Sequence, residues 1–329
     1  MHNPKHLRAC LWLLFATSIW GISFPFVKAI LLAQEQLVPD GRSVFFASLG
    51  TVVRFGVAGL LIALFAIRTL PRLTRNEIAQ GVGLGFFGGL GILFQMDALA
   101  HTDASTSAFL TQFYCIIIPA WVAWRQRAAP KVAVIASLVL VVIGMAILSR
   151  FDWRQFKMGR GEAETILCAL FFAGQILWLE RPRYAGNSAT HFTVVMFATI
   201  VILIAPVAIF TAPSSHAIVR AYASVEVLSL MGVLTLACTL AAYMLMNIWQ
   251  RHVTATEAGL IYCVEPICAS LFAVVVPGWL SGFAGIDYAN ERITMNLLIG
   301  GGLITAANLL IQIEAMRRRR KAVTGSQSE

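Results

Sequence analysis

The 329-residue chain is 58% hydrophobic and only 12% charged, with a mean hydropathy of +0.77 and a formal net charge of +9. Water-soluble domains carry about 25% charged and about 45–50% apolar residues, so the chain lacks the polar surface to cover a globule in water. Its apolar residues run from Leu11 to Ile313, which excludes a signal peptide followed by a soluble enzyme and predicts an all-α polytopic membrane protein.

Apolar runs between charge and turn clusters predict ten transmembrane helices. They cover about 11–32, 44–67, 78–100, 104–124, 132–149, 163–180, 191–211, 225–248, 254–276 and 293–314. A β-barrel needs alternating strands of about 9–11 residues; these runs are longer and apolar on every face. The first run follows Lys5 and Arg8 but has no small-x-small exit, and many spans follow it, so it reads as an uncleaved first helix. On that helix Thr17, Trp20, Phe24 and Lys28 share a face of about 80°. Trp20 offers an apolar wall there. Lys28 is either an anion contact or a side chain that snorkels to the outer interface. In the second run Arg54 is expected to neutralise a carboxylate, cap helix ends or lie at an interface.

The third run carries Gly81, Gly85, Gly88 and Gly89 on a sector of about 100°, a spacing that lets helix backbones approach closely. It ends with Asp97 and His101 one turn apart, either a proton switch or an interfacial ion pair. On the fourth run Ser105, Gln112 and Pro119 recur every seven residues; Gln112 is a donor for a substrate carboxylate or for a neighbouring helix. On the ninth, Glu257, Ile261, Glu265 and Cys268 fall within about 80° of one another. A charge inside a span costs about 2.5–3.5 kcal/mol on insertion scales, so it faces a cavity or a partner. Glu265 is accordingly expected to face a cavity, and Glu257 to be solvated near the cytoplasmic interface. Pro119 and Pro266 are expected to kink their helices. The six cysteines show no CxxC spacing and read as small apolar fillers. No metal site and no cofactor is expected.

Placing both termini in the cytoplasm puts 16 of the 25 Lys and Arg residues on that side and 7 on the other, with the 150–160 segment the exception. The junction ALAHTDASTSAFL reappears as IWQRHVTATEAGL at a displacement of 151 positions, which lays His101 on His252 and Ser105 on Thr256. Five helices per copy is an odd number, so the second copy enters the membrane from the opposite face. The expected organisation is therefore a repeat over 1–149, a linking loop at 150–162, an inverted repeat over 163–316 and a basic cytoplasmic tail at 317–329. A second loop is expected over 277–292. Inverted repeats are the common build of secondary transporters, with the substrate site near the midplane.

WGISFPFVK in the first helix, HTDASTSAFLTQFYCIIIP around the fourth and TATEAGLIYCVEPICASLFA in the ninth resemble the EamA domain of the drug/metabolite transporter superfamily, in two copies over about 11–314. The chain departs from that family at Arg125-Gln126-Arg127, where a Gly-Glu pair is usual, and at Asp97, where an uncharged residue is usual. The resemblance implies a ten-helix bundle in the plasma membrane that exports or exchanges small metabolites. The residues and the resemblance together point to a secondary transporter, not an enzyme, for a small polar or amphipathic solute such as an amino acid. Its candidate site comprises Glu265, Asp97, His101, Gln112, Trp20, Lys28 and Glu257, with Gly81, Gly85, Gly89, Pro119 and Pro266 shaping the helices. Protons and membrane lipids are the other expected partners, nucleic acid is not, and the protein is expected to be a monomer or homodimer. The alternative is a membrane-embedded enzyme acting on a lipid-linked substrate, although no HExxH or multi-aspartate metal motif is present.

Overall fold

The computed structural model describes residues 4–98, 101, 107, 110–127, 129, 130, 132–148, 159–290, 292, 294–296, 298–307, 309, 310 and 313. Among these residues the chain is helical and contains no strand. Three long helices open it: α1 (Pro4–Leu37), α2 (Ser43–Ala66) and α3 (Arg75–Ala98). Then come α4 (Tyr114–Gln126), α5 (Val132–Leu148), α6 (Arg160–Leu179), α7 (Ala189–Thr211) and the short α8 (Ser215–Arg220). The next segment runs through α9 (Val225–Val233), a π-helical stretch (Leu234–Ala241) and α10 (Ala242–Trp249). α11 (Ala255–Tyr262), α12 (Glu265–Ala273) and α13 (Val276–Ala284) follow, and an apolar helix, α14, covers Leu298–Ala307.

The molecule is a multi-pass membrane protein, and its surface shows why. Phe65, Phe210 and Val132 are 88%, 87% and 82% exposed, whereas Thr17, Ser107 and Asn247 are fully buried. Apolar side chains outside and polar ones inside suit hydrocarbon as the surrounding solvent. Seven helical segments among the described residues are long and apolar enough to cross a membrane: Lys5–Leu37, Ser43–Ala66, Arg75–Ala98, Arg160–Leu179, Ala189–Thr211, Val225–His252 and Ala255–Ala273. This falls short of the expected ten. The segments at Val132–Ile147 and Leu298–Ala307 are apolar but shorter, and the start of the expected fourth span lies outside the described residues. So do most of the 150–162 loop and the whole 317–329 tail.

One expected loop is corrected. Residues 277–284, expected in the 277–292 loop, are helical and belong to α13. Pro277 sits in the first turn, where its missing N–H costs nothing, and Gly285 ends the helix at φ 63°, a conformation glycine adopts without strain. Trp279 and Phe283 stack one turn apart on its exposed side, at a centroid distance of 5.9 Å.

Helices from the two ends of the chain interlock. α2 and α3 both lie along α7, α3 also lies along α6, and α1 packs against α12, α10 and the π-helical stretch. The glycines of α3 make its contacts possible. A Cβ on Gly81 would stand 2.6 Å from the Phe192 carbonyl oxygen, and one on Gly85 would stand 2.6 Å from that of Met196. Gly89 is looser, its Cβ position 3.2 Å from Ile200. These three form the seam with α7, while Gly88 faces Gln175 of α6. α3 and α7 thus meet at backbone distance, as small residues at four-residue spacing allow.

Candidate functional site

Where α1, α2 and α3 face α6, α10 and α11, the packing opens into a cavity of about 80 Å³. Trp20, Arg54, Gln95, Tyr114, Gln175, Tyr243, Tyr262 and Glu265 supply its aromatic and polar lining. Local devices place four of these side chains: Glu265, Arg54, Trp20 and Tyr262.

The helix break between α11 and α12 places Glu265. Cys263 and Val264 form a turn there, with Cys263 N–H donating to the Leu260 carbonyl (3.2 Å) and Val264 N–H to that of Ile261 (3.1 Å). Pro266 has no N–H to continue the ladder, so the new helix starts at Glu265 with proline in its first turn. The chain breaks in the same manner at Gln112–Phe113, just before α4, where Cys115 N–H donates to the Gln112 carbonyl at 2.9 Å. The two breaks meet across the bundle: Gln112 Nε2 lies 3.4 Å from Glu265 Oε2. Gln112 is buried and its Oε1 has no hydrogen-bond partner among the described residues. Pro119, by contrast, sits within a continuous α4 and not at the break.

The π-helical stretch anchors two further residues of the lining, Arg54 and Trp20. Its widened turn lets the Thr239 hydroxyl donate to the Leu234 carbonyl five residues back (3.2 Å) and accept from Arg54 Nε (2.9 Å). Beside it the Trp20 indole N–H donates to the Cys238 carbonyl at 3.1 Å. This fixes the ring, which contacts Tyr243 and Tyr262 edge-on at 5.4 and 5.6 Å. Tyr262 is held in turn by its hydroxyl, which donates to Gln250 Oε1 at 2.8 Å, while Gln250 Nε2 donates to the Ile176 carbonyl.

Of the residues singled out from sequence, Glu265 and Trp20 line this cavity, and Gln112 is buried against Glu265. The others lie elsewhere. Asp97 does not line the cavity. Its carboxylate takes a hydrogen bond from Ser43 Oγ (2.9 Å) and an ion pair from Arg160, so it ties the end of α3 to the starts of α2 and α6. An acid at a helix C-terminus opposes the helix dipole, and the arginine offsets it. His101 stands in an exposed turn beyond α3; the partners of Asp97 are Ser43 and Arg160, not this histidine. Ser105 lies outside the described residues. Lys28 is exposed, with Nζ 5.4 Å from the Tyr288 ring centre. Glu257 caps α11: it accepts from the Thr254 backbone N–H at 2.9 Å and lies 3.5 Å from His6 Nε2. The break between α11 and α12 removes the continuous helical face that had joined Glu257 to Glu265.

Arg54 is the residue whose place the sequence reading missed. It is buried at the cavity wall, 6% exposed, and among the described residues no carboxylate pairs with it. The signal available in sequence was its cost, a cation well inside a span.

Residues 7–150 match the EamA-like transporter family. A protein of Archaeoglobus fulgidus described as an uncharacterized transporter is 27% identical over 274 residues, which span 83% of this chain and 79% of that one. A solved crystal structure aligns over 95% of this chain and 99% of its own with a TM-score of 0.69. At 17% identity that is a likeness of fold.

Proposed function

With residues 7–150 an EamA domain of the drug/metabolite transporter type, we propose that the whole chain is a secondary transporter of ten membrane helices in two inverted repeats. The repeats are 1–149 and 163–316, joined through 150–162. The substrate is a small polar or amphipathic metabolite such as an amino acid, moved outward or exchanged by alternating access at the cavity. Both termini face the cytoplasm across a plasma membrane.

Three features support the repeat. The helix breaks at 112–113 and 263–264 stand 151 positions apart, the displacement that aligns the two junction sequences. That displacement lays Tyr114 on Glu265, and both line the cavity. Contacts between the halves also come in matched pairs under an exchange of first and second copies. α3 on α6 answers to α1 on the 225–252 segment, and α2 on that segment answers to α3 on α7. α4 on α6 answers to α1 on α12. α5 and α14 are their own mates, with Ser137 Oγ donating to the Ala307 carbonyl at 3.1 Å.

The observation that carries the transport reading is Glu265. A helix break sets this carboxyl group in a cavity between helices of both halves, with Gln112 as its one hydrogen-bond partner among the described residues. A buried polar group with spare hydrogen-bonding capacity is costly unless something arrives to use it. A cationic group of the substrate or a proton meets that need. Counterflow of radiolabelled L-amino acids into proteoliposomes tests the reading. Saturable uptake without ATP supports it, and the absence of flux across the whole panel contradicts it.

A further inference from the structure

Glu265 leaves another charged residue of the same cavity lining unexplained. Arg54 lies there, on α2, with two cavities meeting at its side chain. The central cavity is one; the other, of about 20 Å³, lies between α1, α2 and the 225–252 segment and is lined by Gln34, Thr51 and Met231. Arg54 and Met96 belong to both linings and form the partition. The guanidinium makes its hydrogen bond through Nε, to Thr239 Oγ1 at 2.9 Å, and lies 5.4 Å from the Phe55 ring centre. Nε is the stem side of the group. The two terminal nitrogens, which make the fork that fits a carboxylate, have no hydrogen-bond partner among the described residues, and the side chain lines both cavities. Gln175 Nε2, another donor in this lining, also has no partner among the described residues.

We propose that Arg54 is the anion-recognition residue of this transporter, receiving the carboxylate of a small solute through its terminal nitrogens at the partition between the two cavities. The proposal rests on the transport reading and narrows its substrate class. A buried cation without a counter-ion is costly, so a ligand-borne counter-ion accounts for its retention. One arginine brings a single positive charge to the cavity, which suits a monoanion. A carboxylate has the planar two-oxygen edge that the fork matches.

The purified full-length protein in detergent provides the test, by thermal unfolding with L-amino acids, lactate and pyruvate, each against its carboxamide. At least one carboxylate raises the unfolding midpoint and its amide does not. Arg54→Met abolishes that difference, Arg54→Lys keeps part of it, and Glu265→Gln retains the carboxylate-over-amide preference. Without solute, Arg54→Met unfolds at or above the parent midpoint, because an unpaired buried charge has gone. A lower midpoint for Arg54→Met and Arg54→Gln, with no carboxylate effect in the parent, makes Arg54 a brace for the π-helical stretch and overturns the proposal. So does a preference that survives in Arg54→Met, or amides acting as well as acids. Should Arg54→Met not fold, the preference is read from Arg54→Lys and Arg54→Gln by the same criteria. Counterflow separates the two readings: parent flux with an unchanged carboxylate preference in the Arg54 variants removes this inference and leaves transport standing. Arg54-dependent carboxylate binding without flux does the reverse.

Discussion

Two sides of the same helical interface are built on opposite rules. Where α3 meets α7, Gly81 and Gly85 bring backbones so close that a single added carbon would stand 2.6 Å from a carbonyl oxygen. Where α1 and α2 meet α10 to α12, the helices stand apart around a cavity walled by Arg54, Glu265 and three tyrosines. On the first side the buried Glu77 of α3 pairs with His191 of α7 at 3.2 Å; on the second, Gln175 Nε2 of the lining has no partner among the described residues. Packing energy is thus invested in the seam, which leaves the cavity side free to hold groups that a stable core would exclude. Under the proposed alternating access, the seam serves as the fulcrum and the cavity as the moving part.

Substitutions can break or sharpen this contrast, and the largest effect belongs to the seam. Gly85→Leu drives a branched side chain into the Met196 carbonyl and Thr199. It is expected to abolish the monodisperse peak in size-exclusion chromatography, and even Gly85→Ala costs about 1–3 kcal/mol by overpacking. Gly232→Ala, with nothing within 4 Å of the new carbon, leaves that peak unchanged. A tolerated Gly85→Leu removes the seam from the account.

On the cavity side, Gln112→Leu deletes the partner of Glu265. Losing one hydrogen bond to a carboxyl group, about 1.4 kcal/mol, lowers counterflow on the order of 10-fold. The unfolding midpoint moves little in comparison. Equal losses of flux and stability in this variant would instead mark Gln112 as a packing residue.

The third effect is smaller and purely structural. Thr254→Ala removes the hydroxyl that accepts from the Glu257 N–H at 3.2 Å, at a cost of about 1 kcal/mol in stability. Flux is expected to stay at the parent level, because this capping box serves the helix and not the cavity. Lys28→Met is the mildest change, with transport within about twofold of the parent, since the side chain is exposed and lies over Tyr288, away from the cavity lining.

The sequence carried the fold class and most of the helices because the scarcity of charge is a property of whole segments. It also carried Glu265, because a carboxylate beside proline inside an apolar run has few purposes. The Asp97–Arg160 pair lay beyond reach: its members are 63 positions apart, and no periodicity links them. The π-helical turn over Leu234–Ala241 has no residue signature either, and without it the anchoring of Arg54 by Thr239 could not be foreseen. The stretch 277–285 looked like a loop because of Pro277 and three glycines, although proline is at ease in a first turn and Gly285 just past a last one.

The most direct test compares two glutamates of the Ala255–Ala273 membrane segment that the helix break sets in different surroundings. Glu265→Gln and Glu257→Gln are reconstituted beside the parent, and counterflow is measured across a range of pH. The account predicts that Glu265→Gln loses most of the flux, or its pH dependence, while folding normally, and that Glu257→Gln keeps both at a small cost in stability. Parent-like transport by Glu265→Gln at every pH would contradict it.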